Sequence, residues 1–157
     1  MAGLIVAHSY SSRTEELKTF RSALRMLETE IAYALTPLPE ALYRVGNRMG
    51  GCVGKFFLSV SLLLTNDQET SSGEAWEACL AGLGGEASLG DVDLDILRTF
   101  GYTLGVSDRE DQIKNLKLTQ EQLKHQEYSA EKLRESNQRM WRTIGFLGGL
   151  AVVFILY

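Results

Sequence analysis

Leu17-Lys18-Thr19-Phe20-Arg21-Ser22-Ala23-Leu24-Arg25-Met26-Leu27-Glu28-Thr29-Glu30-Ile31-Ala32-Tyr33-Ala34-Leu35 carries apolar residues at 17, 20, 24, 27, 31 and 35, in steps of three and four. That spacing places them on one stripe of an α-helix and predicts a first amphipathic helix packed on a core. Thr36-Pro37-Leu38-Pro39-Glu40 breaks it and starts a second helix, with Thr36 as the expected N-cap and Pro37 at the first position, where proline is tolerated. Gly50-Gly51 ends that second helix.

The same period continues along the chain. Val53, Phe56, Phe57, Val60, Leu63 and Leu64 mark a third helix. Ser71 followed by Glu74 reads as a capping box opening a fourth, through Trp76, Cys79 and Leu80, with Gly82 and Gly84-Gly85 closing it. Asp91 is the expected cap of a fifth helix carrying Leu94, Leu97, Phe100 and Leu104, and Gly105 is expected to take the left-handed conformation after its last turn. Ser107 and Glu110 form a second capping box for a sixth helix, free of Pro and Gly from Asp108 to Ile144. Its stripe of Ile113, Leu116, Leu123, Ala130 and Leu133 is interrupted at Gln120 and Glu127, which favours packing on its own domain over a long coiled coil. No strand-like alternation occurs. The fold class expected is all-α, a helical bundle of about six helices with Phe56, Phe57, Trp76 and Phe100 in its core.

The chain has 157 residues, 45% hydrophobic and 23% charged, enough for one domain with a core and against a disordered chain. A formal charge of −4 gives no general attraction for phosphate backbones, so no nucleic-acid partner is expected. The charges are unevenly spread. From Phe56 to Leu97 stand Asp67, Glu69, Glu74, Glu77, Glu86, Asp91, Asp93 and Asp95 without a single base, whereas Arg13, Lys18, Arg21 and Arg25 and then Lys132, Arg134, Arg139 and Arg142 lie near the two ends.

Residues 143–157 carry no charge, cover about 22 Å at helical rise against a hydrocarbon core of roughly 30 Å, and are edged by Trp141 and Tyr157. With Arg139 and Arg142 able to snorkel, this reads as a short C-terminal transmembrane helix; the competing reading is a buried core helix. Residues 1–12, apolar to Ala7 and uncharged to Ser12, lack the basic start of a secretory signal and read as the remnant of an N-terminal transmembrane helix. Bases flanking both segments put the intervening bundle, 13–142, in the cytoplasm, where Cys52 and Cys79 stay reduced. Gly3 and Ala7, and Gly145 and Gly149, have the four-residue spacing of small residues that lets membrane helices approach, within one chain or between copies.

Motifs for catalysis, cofactors or metals are not expected. His8 and His125 assemble neither a zinc cluster nor a triad, and Gly46 to Lys55 lacks the Gly-Lys-Ser/Thr ending of a phosphate loop. Asp91, Asp93 and Asp95 resemble the start of a calcium loop, but Ile96 and Tyr102 stand where it needs Gly and Glu. An enzyme with dispersed catalytic groups is the competing class, which a turnover assay separates.

Phe100-Gly101-Tyr102-Thr103-Leu104-Gly105-Val106-Ser107-Asp108-Arg109-Glu110-Asp111-Gln112-Ile113-Lys114, together with Thr36-Pro37-Leu38-Pro39-Glu40-Ala41-Leu42, resembles the stage III sporulation protein AB family of spore-forming bacteria. Glu28-Thr29-Glu30-Ile31, Gly73-Glu74-Ala75-Trp76-Glu77 and Met140-Trp141-Arg142 fit in the same order, so the resemblance covers nearly the whole chain. It implies a bundle similar to the F domain of type II secretion platform proteins, with a membrane segment at each end. It further implies a non-enzymatic component of the mother-cell to forespore channel, in the mother-cell membrane facing the forespore, working beside a secretion-type ATPase and other channel proteins. The alternative is a platform protein of a type II secretion or pilus system. The expected partner-binding residues are Asp67, Glu69, Glu74 and Glu77 for a basic surface on the ATPase, and Asp108, Arg109 and Gln112 on the turn after the fifth helix.

Overall fold

Six helices follow one another in the computed structural model, which describes the backbone of residues 2–104 and 106–156 and the side chains among them except 2–11, 134, 137 and 152–156. They are α1 (Ala2–Ala32), α2 (Leu38–Met49), α3 (Gly51–Asn66), α4 (Ser72–Glu86), α5 (Asp91–Thr103) and α6 (Arg109–Leu156), with no strand among the described residues. The breaks fall where the sequence placed them. The left-handed turn expected at Gly105 lies outside the described residues.

The helices run alternately up and down. Ser61 Oγ donates to the Pro39 carbonyl at 2.7 Å, setting the end of α3 beside the start of α2. Trp76 Nε1 donates to the Leu97 carbonyl at 2.8 Å, joining the first half of α4 to the second half of α5. Along α1 and α6, Lys18 meets Glu131 at 3.4 Å, Arg21 meets Glu127 at 3.3 Å and Glu28 meets Gln120 at 2.9 Å, so the two helices are antiparallel. The chain-terminal ends of both therefore point the same way; we call this the proximal end. The connections α1–α2, α3–α4 and α5–α6 lie at the opposite, distal end.

Five rings form the core. Phe20 from α1, Phe56 and Phe57 from α3, Trp76 from α4 and Phe100 from α5 meet with centroids 4.7 to 5.8 Å apart, edge-on or tilted as aromatic quadrupoles prefer. Trp76 is wholly buried and lies on Gly101, where a Cβ would stand 2.3 Å from its Cδ1, so the position admits only glycine. α2 and α3 cross just as closely: a Cβ on Gly54 would meet the Gly46 carbonyl oxygen at 2.8 Å. Between them, Gly50 and Gly51 take φ of 67° and 61°, the left-handed values that let one helix stop and the next start at once. Leu116, Leu123 and Ala130 of α6 are buried on the bundle, as expected, whereas Leu133 is exposed.

Several helix ends differ from the sequence reading. α1 stops at Ala32, so Leu35 leaves the stripe; Thr36 N–H returns to the Glu30 carbonyl at 3.2 Å and Leu35 is held at φ 54°. Thr36 caps nothing in α2: its hydroxyl donates to Glu30 Oε2 at 2.7 Å, and Pro37 occupies the N-cap position. Ser71 Oγ accepts from Glu74 N–H as predicted. Gly82, Gly84 and Gly85 do not close α4, which continues to Glu86. Helix α5 is capped from inside: Asp93 Oδ2 accepts from Gly90 N–H at 2.9 Å, and Asp91 is its first residue. Asp108, not Ser107, caps α6, accepting from Asp111 N–H at 2.8 Å, because Ser107 Oγ turns back to the Thr103 carbonyl.

Past Leu133, α6 leaves the bundle, and Met140, Trp141, Ile144, Phe146, Leu147 and Leu150 are all exposed. Among the described residues no helix is long and apolar enough to cross a membrane. The uncharged run of 143–157 is short, and six of its side chains, like those of 2–11, lie outside the described residues.

Candidate interaction surfaces

At the proximal end, Arg13 joins three helices. Its Nε donates to Asp93 Oδ2 at 2.8 Å and its Nη2 to Asp93 Oδ1 at 3.1 Å, while Nη2 also reaches Gln126 Oε1 at 3.4 Å. Asp93 is fully buried, so the pair is a two-pronged clasp between α1 and α5, backed by α6. Beside it, Glu16 Oε2 accepts from Ser88 N–H at 2.7 Å; burial pushes its carboxyl above the usual range, partly offset by that bond and one with the Cys52 thiol. The sequence alone puts Arg13 among the bases flanking the N-terminal segment and Asp93 in the acidic run. No local signal joins residues 80 apart, although an acid three positions after Gly90 has the spacing of a capping side chain.

The acidic run is not one surface. Asp93 is internal, and Asp95 and Glu77 both hold Arg98, at 2.7 and 3.2 Å, so Glu77 is partly neutralised within the bundle. Asp67 shapes the α3–α4 turn, its Oδ1 accepting from Glu69 N–H at 3.1 Å and its Oδ2 from the Thr70 hydroxyl at 2.7 Å. Those bonds hold the Asp67 carboxyl below the ordinary aspartate range, the Thr70 hydroxyl contributing most. Glu69 and Glu74 are exposed and have no base within ion-pair distance among the described residues. Asp67, Glu69 and Glu74 are thus together at the distal end, whereas Glu86 and Asp91 lie toward the proximal one.

The second set of candidates divides in the same way. Arg109 Nε donates to the Ile31 carbonyl at 3.1 Å and its Nη2 to that of Ala32, placing a cation on the last carbonyls of α1, where the helix dipole is negative. Asp108 carries the α6 cap, and Gln112 is half-buried next to it. The α5–α6 turn is therefore pinned to the end of α1, beside Tyr33 and Leu35.

Two grooves remain. One, of about 340 Å³, is lined by Cys52, Lys55, Phe56, Cys79, Leu83 and Glu86. Burial pushes both thiols up, and Glu16 adds to the effect at Cys52, which keeps them protonated and poor nucleophiles. The other, about 390 Å³ along the α1–α6 seam, holds Arg21, Arg25 and Lys124 beside Glu121. No group of three His, Cys, Asp or Glu that could hold a metal occurs among the described residues. Among the described residues no atom lies within 4 Å of a Cβ added at Gly145 or Gly149, and the side chain of Ala7 and the surroundings of Gly3 lie outside the described residues.

An up-and-down six-helix bundle, clasped by one buried ion pair and running on into an exposed apolar helix, defines an all-α protein whose recognisable features are surfaces. The whole chain, residues 1–157, matches the family model of stage III sporulation protein AB, and it belongs to that family. It is 33% identical over 154 residues to stage III sporulation protein AB of Bacillus subtilis (strain 168), covering 98% of this chain and 90% of that one. A solved structure of stage III sporulation protein AB superposes with a TM-score of 0.74 at 32% identity, over 80% of this chain and 98% of that chain. The six-helix, strand-free architecture is thus that of a stage III sporulation protein.

Proposed function

We propose that this protein is a non-enzymatic, membrane-anchored assembly component of the channel between mother cell and forespore, its bundle standing in the mother-cell cytoplasm beside a secretion-type ATPase. On this reading the bundle is a counterpart of the F domain of type II secretion platform proteins, and residues 1–12 and 143–157 belong to membrane helices. One observation carries the proposal: α1 and α6 are antiparallel, so both terminal segments leave from the proximal end. The exposed apolar side chains from Met140 to Leu150, with Arg139 and Arg142 among the polar neighbours, suit insertion into a bilayer with an anionic cytoplasmic leaflet. Support for a scaffold over an enzyme comes from how the polar groups are used: Asp93, Asp108 and Arg109 each satisfy helix ends.

The test is recovery of the ATPase with the full-length, membrane-tethered protein from sporulating cells at low ionic strength. Recovery that declines as salt is raised is the expected result. A protein released from membranes by high salt, or one that brings down no ATPase at any salt, overturns the reading.

A further inference from the structure

The distal end carries exposed apolar side chains that do nothing for the bundle. Tyr33 is 84% exposed, Leu35 65% and Val106 83%, with Tyr102 and Leu62 also exposed on the last turns of α5 and α3. They share this end because the helix ends are tied: Arg109 bonds the Ile31 and Ala32 carbonyls, and Ser61 bonds Pro39. The two runs through which the sequence resembles its family, 36–42 and 100–114, both reach this end.

Leu35 is the telling member. The Thr36 N–H bonds the Glu30 carbonyl six residues back, a wider closure than a Schellman ending, and Leu35 sits at φ 54°, in the left-handed region that glycine favours. A γ-branched residue there is strained, and its side chain gains no burial in return. Folding alone favours glycine at this position; an exposed leucine kept in a strained conformation points to a contact made outside the chain.

Charge specifies the other side of that contact. Asp67 and Glu69 on one turn, and Asp108, Glu110 and Asp111 on another, are exposed at the same end. Most cations at this end are already used, Arg109 on the α1 carbonyls, Arg44 between Glu30 and Glu40 and Lys117 on Glu28, which leaves the exposed Lys114 against five acids. Arg25 and Lys124, which have no ion pair among the described residues, lie on the α1–α6 seam.

We infer that the distal end of the bundle is a docking surface for a protein presenting apolar side chains inside a basic rim, and, resting on the reading above, that this protein is the secretion-type ATPase. The apolar centre supplies affinity that salt does not remove, and the acidic rim supplies orientation and association rate.

The experiment measures binding of the purified ATPase to the full-length protein held in bilayer nanodiscs, for the parent and for Leu35→Gly, Val106→Ser and Tyr128→Ser. Tyr128 is an exposed control on the part of α6 away from the distal end. Leu35→Gly is expected to weaken binding by about tenfold, as for a central contact residue, while leaving the urea midpoint unchanged or raised, since glycine relieves the strain. Val106→Ser also weakens binding, and Tyr128→Ser does not. If the parent binds and both distal variants stay within about twofold of it, or Tyr128→Ser loses as much as they do, the docking surface is wrong and the ATPase reading stands. If the parent binds no ATPase, both fall. If Leu35→Gly instead abolishes self-association while ATPase binding is intact, the surface belongs to a second copy and the inference is overturned.

Discussion

Cutting the Arg13–Asp93 clasp from one side should cost far more than removing it whole. Asp93 is fully buried and accepts three hydrogen bonds, two from Arg13 and one from Gly90 N–H. Asp93→Ala takes the buried carboxylate from Arg13, whose side chain is only 16% exposed, and Arg13→Met leaves a carboxylate sealed from solvent with two of those bonds gone. Each single change is expected to cost about 3–5 kcal/mol, the usual penalty for an uncompensated buried charge. The double variant buries no charge. It loses the α5 cap, about 1 kcal/mol, and gains a small cavity of similar cost, so it should lie about 2–3 kcal/mol below the parent. The coupling between the two positions is then about 3 kcal/mol or more, at the upper end of measured pairs. Urea unfolding of the full-length chain in detergent, followed by far-UV circular dichroism, measures all four corners of the cycle. Repeating it in 1 M salt separates a sealed pair from a surface one, because the Debye length there is about 3 Å and an exposed pair would be screened. Effects that add to within about 0.5 kcal/mol, or a coupling that vanishes in 1 M salt, would refute the claim that one sealed ion pair joins α1 to α5.

Trp76→Ala should cost about 3–5 kcal/mol, read from the same urea curves, because it empties the centre of the aromatic cluster and leaves the Leu97 carbonyl without its indole donor. The Asp67 carboxyl should titrate below the ordinary aspartate midpoint in a pH series followed by NMR at its side-chain carbon. A carboxylate whose folded pKa is lowered stabilises the fold above its unfolded value and loses that contribution as pH falls through the folded one. The α3–α4 turn should therefore hold through the normal aspartate range and loosen only below it, and Thr70→Val should move the midpoint back up.

The existence and order of the helices were legible because burial on one side leaves a period of three and four, and each aromatic ring of the core sat on such a stripe. Helix ends were less legible, for a physical reason visible at three of them. Asp91 and Asp93, or Ser107 and Asp108, are equally able to cap, and the choice falls to tertiary partners: Arg13 holds Asp93 in place, and Thr103 takes the Ser107 hydroxyl. At Leu35 the apolar spacing continued past the end of the helix, since a left-handed residue after the last turn changes the backbone without changing the residue type. Among candidate surface residues, the acids of the α3–α4 turn could be found from charge alone. Arg109 could not, because its partners are carbonyls almost 80 positions away.

Between Arg109 and Thr143, α6 contains neither proline nor glycine, a run of about 35 residues and, at helical rise, about 50 Å. Its first turn is bolted to the end of α1 through Arg109, its middle is sealed onto α1 through Leu116, Leu123 and Ala130, and its last part carries the apolar residues exposed beyond the bundle. Such a rod has no hinge at which motion at one end could be absorbed before it reaches the other. A tilt of about 10° at its far end would therefore swing the α5–α6 turn sideways by roughly 9 Å, more than the diameter of a side chain. Whatever grips the apolar end of α6 sets the aim of the opposite face, as a tiller sets a rudder.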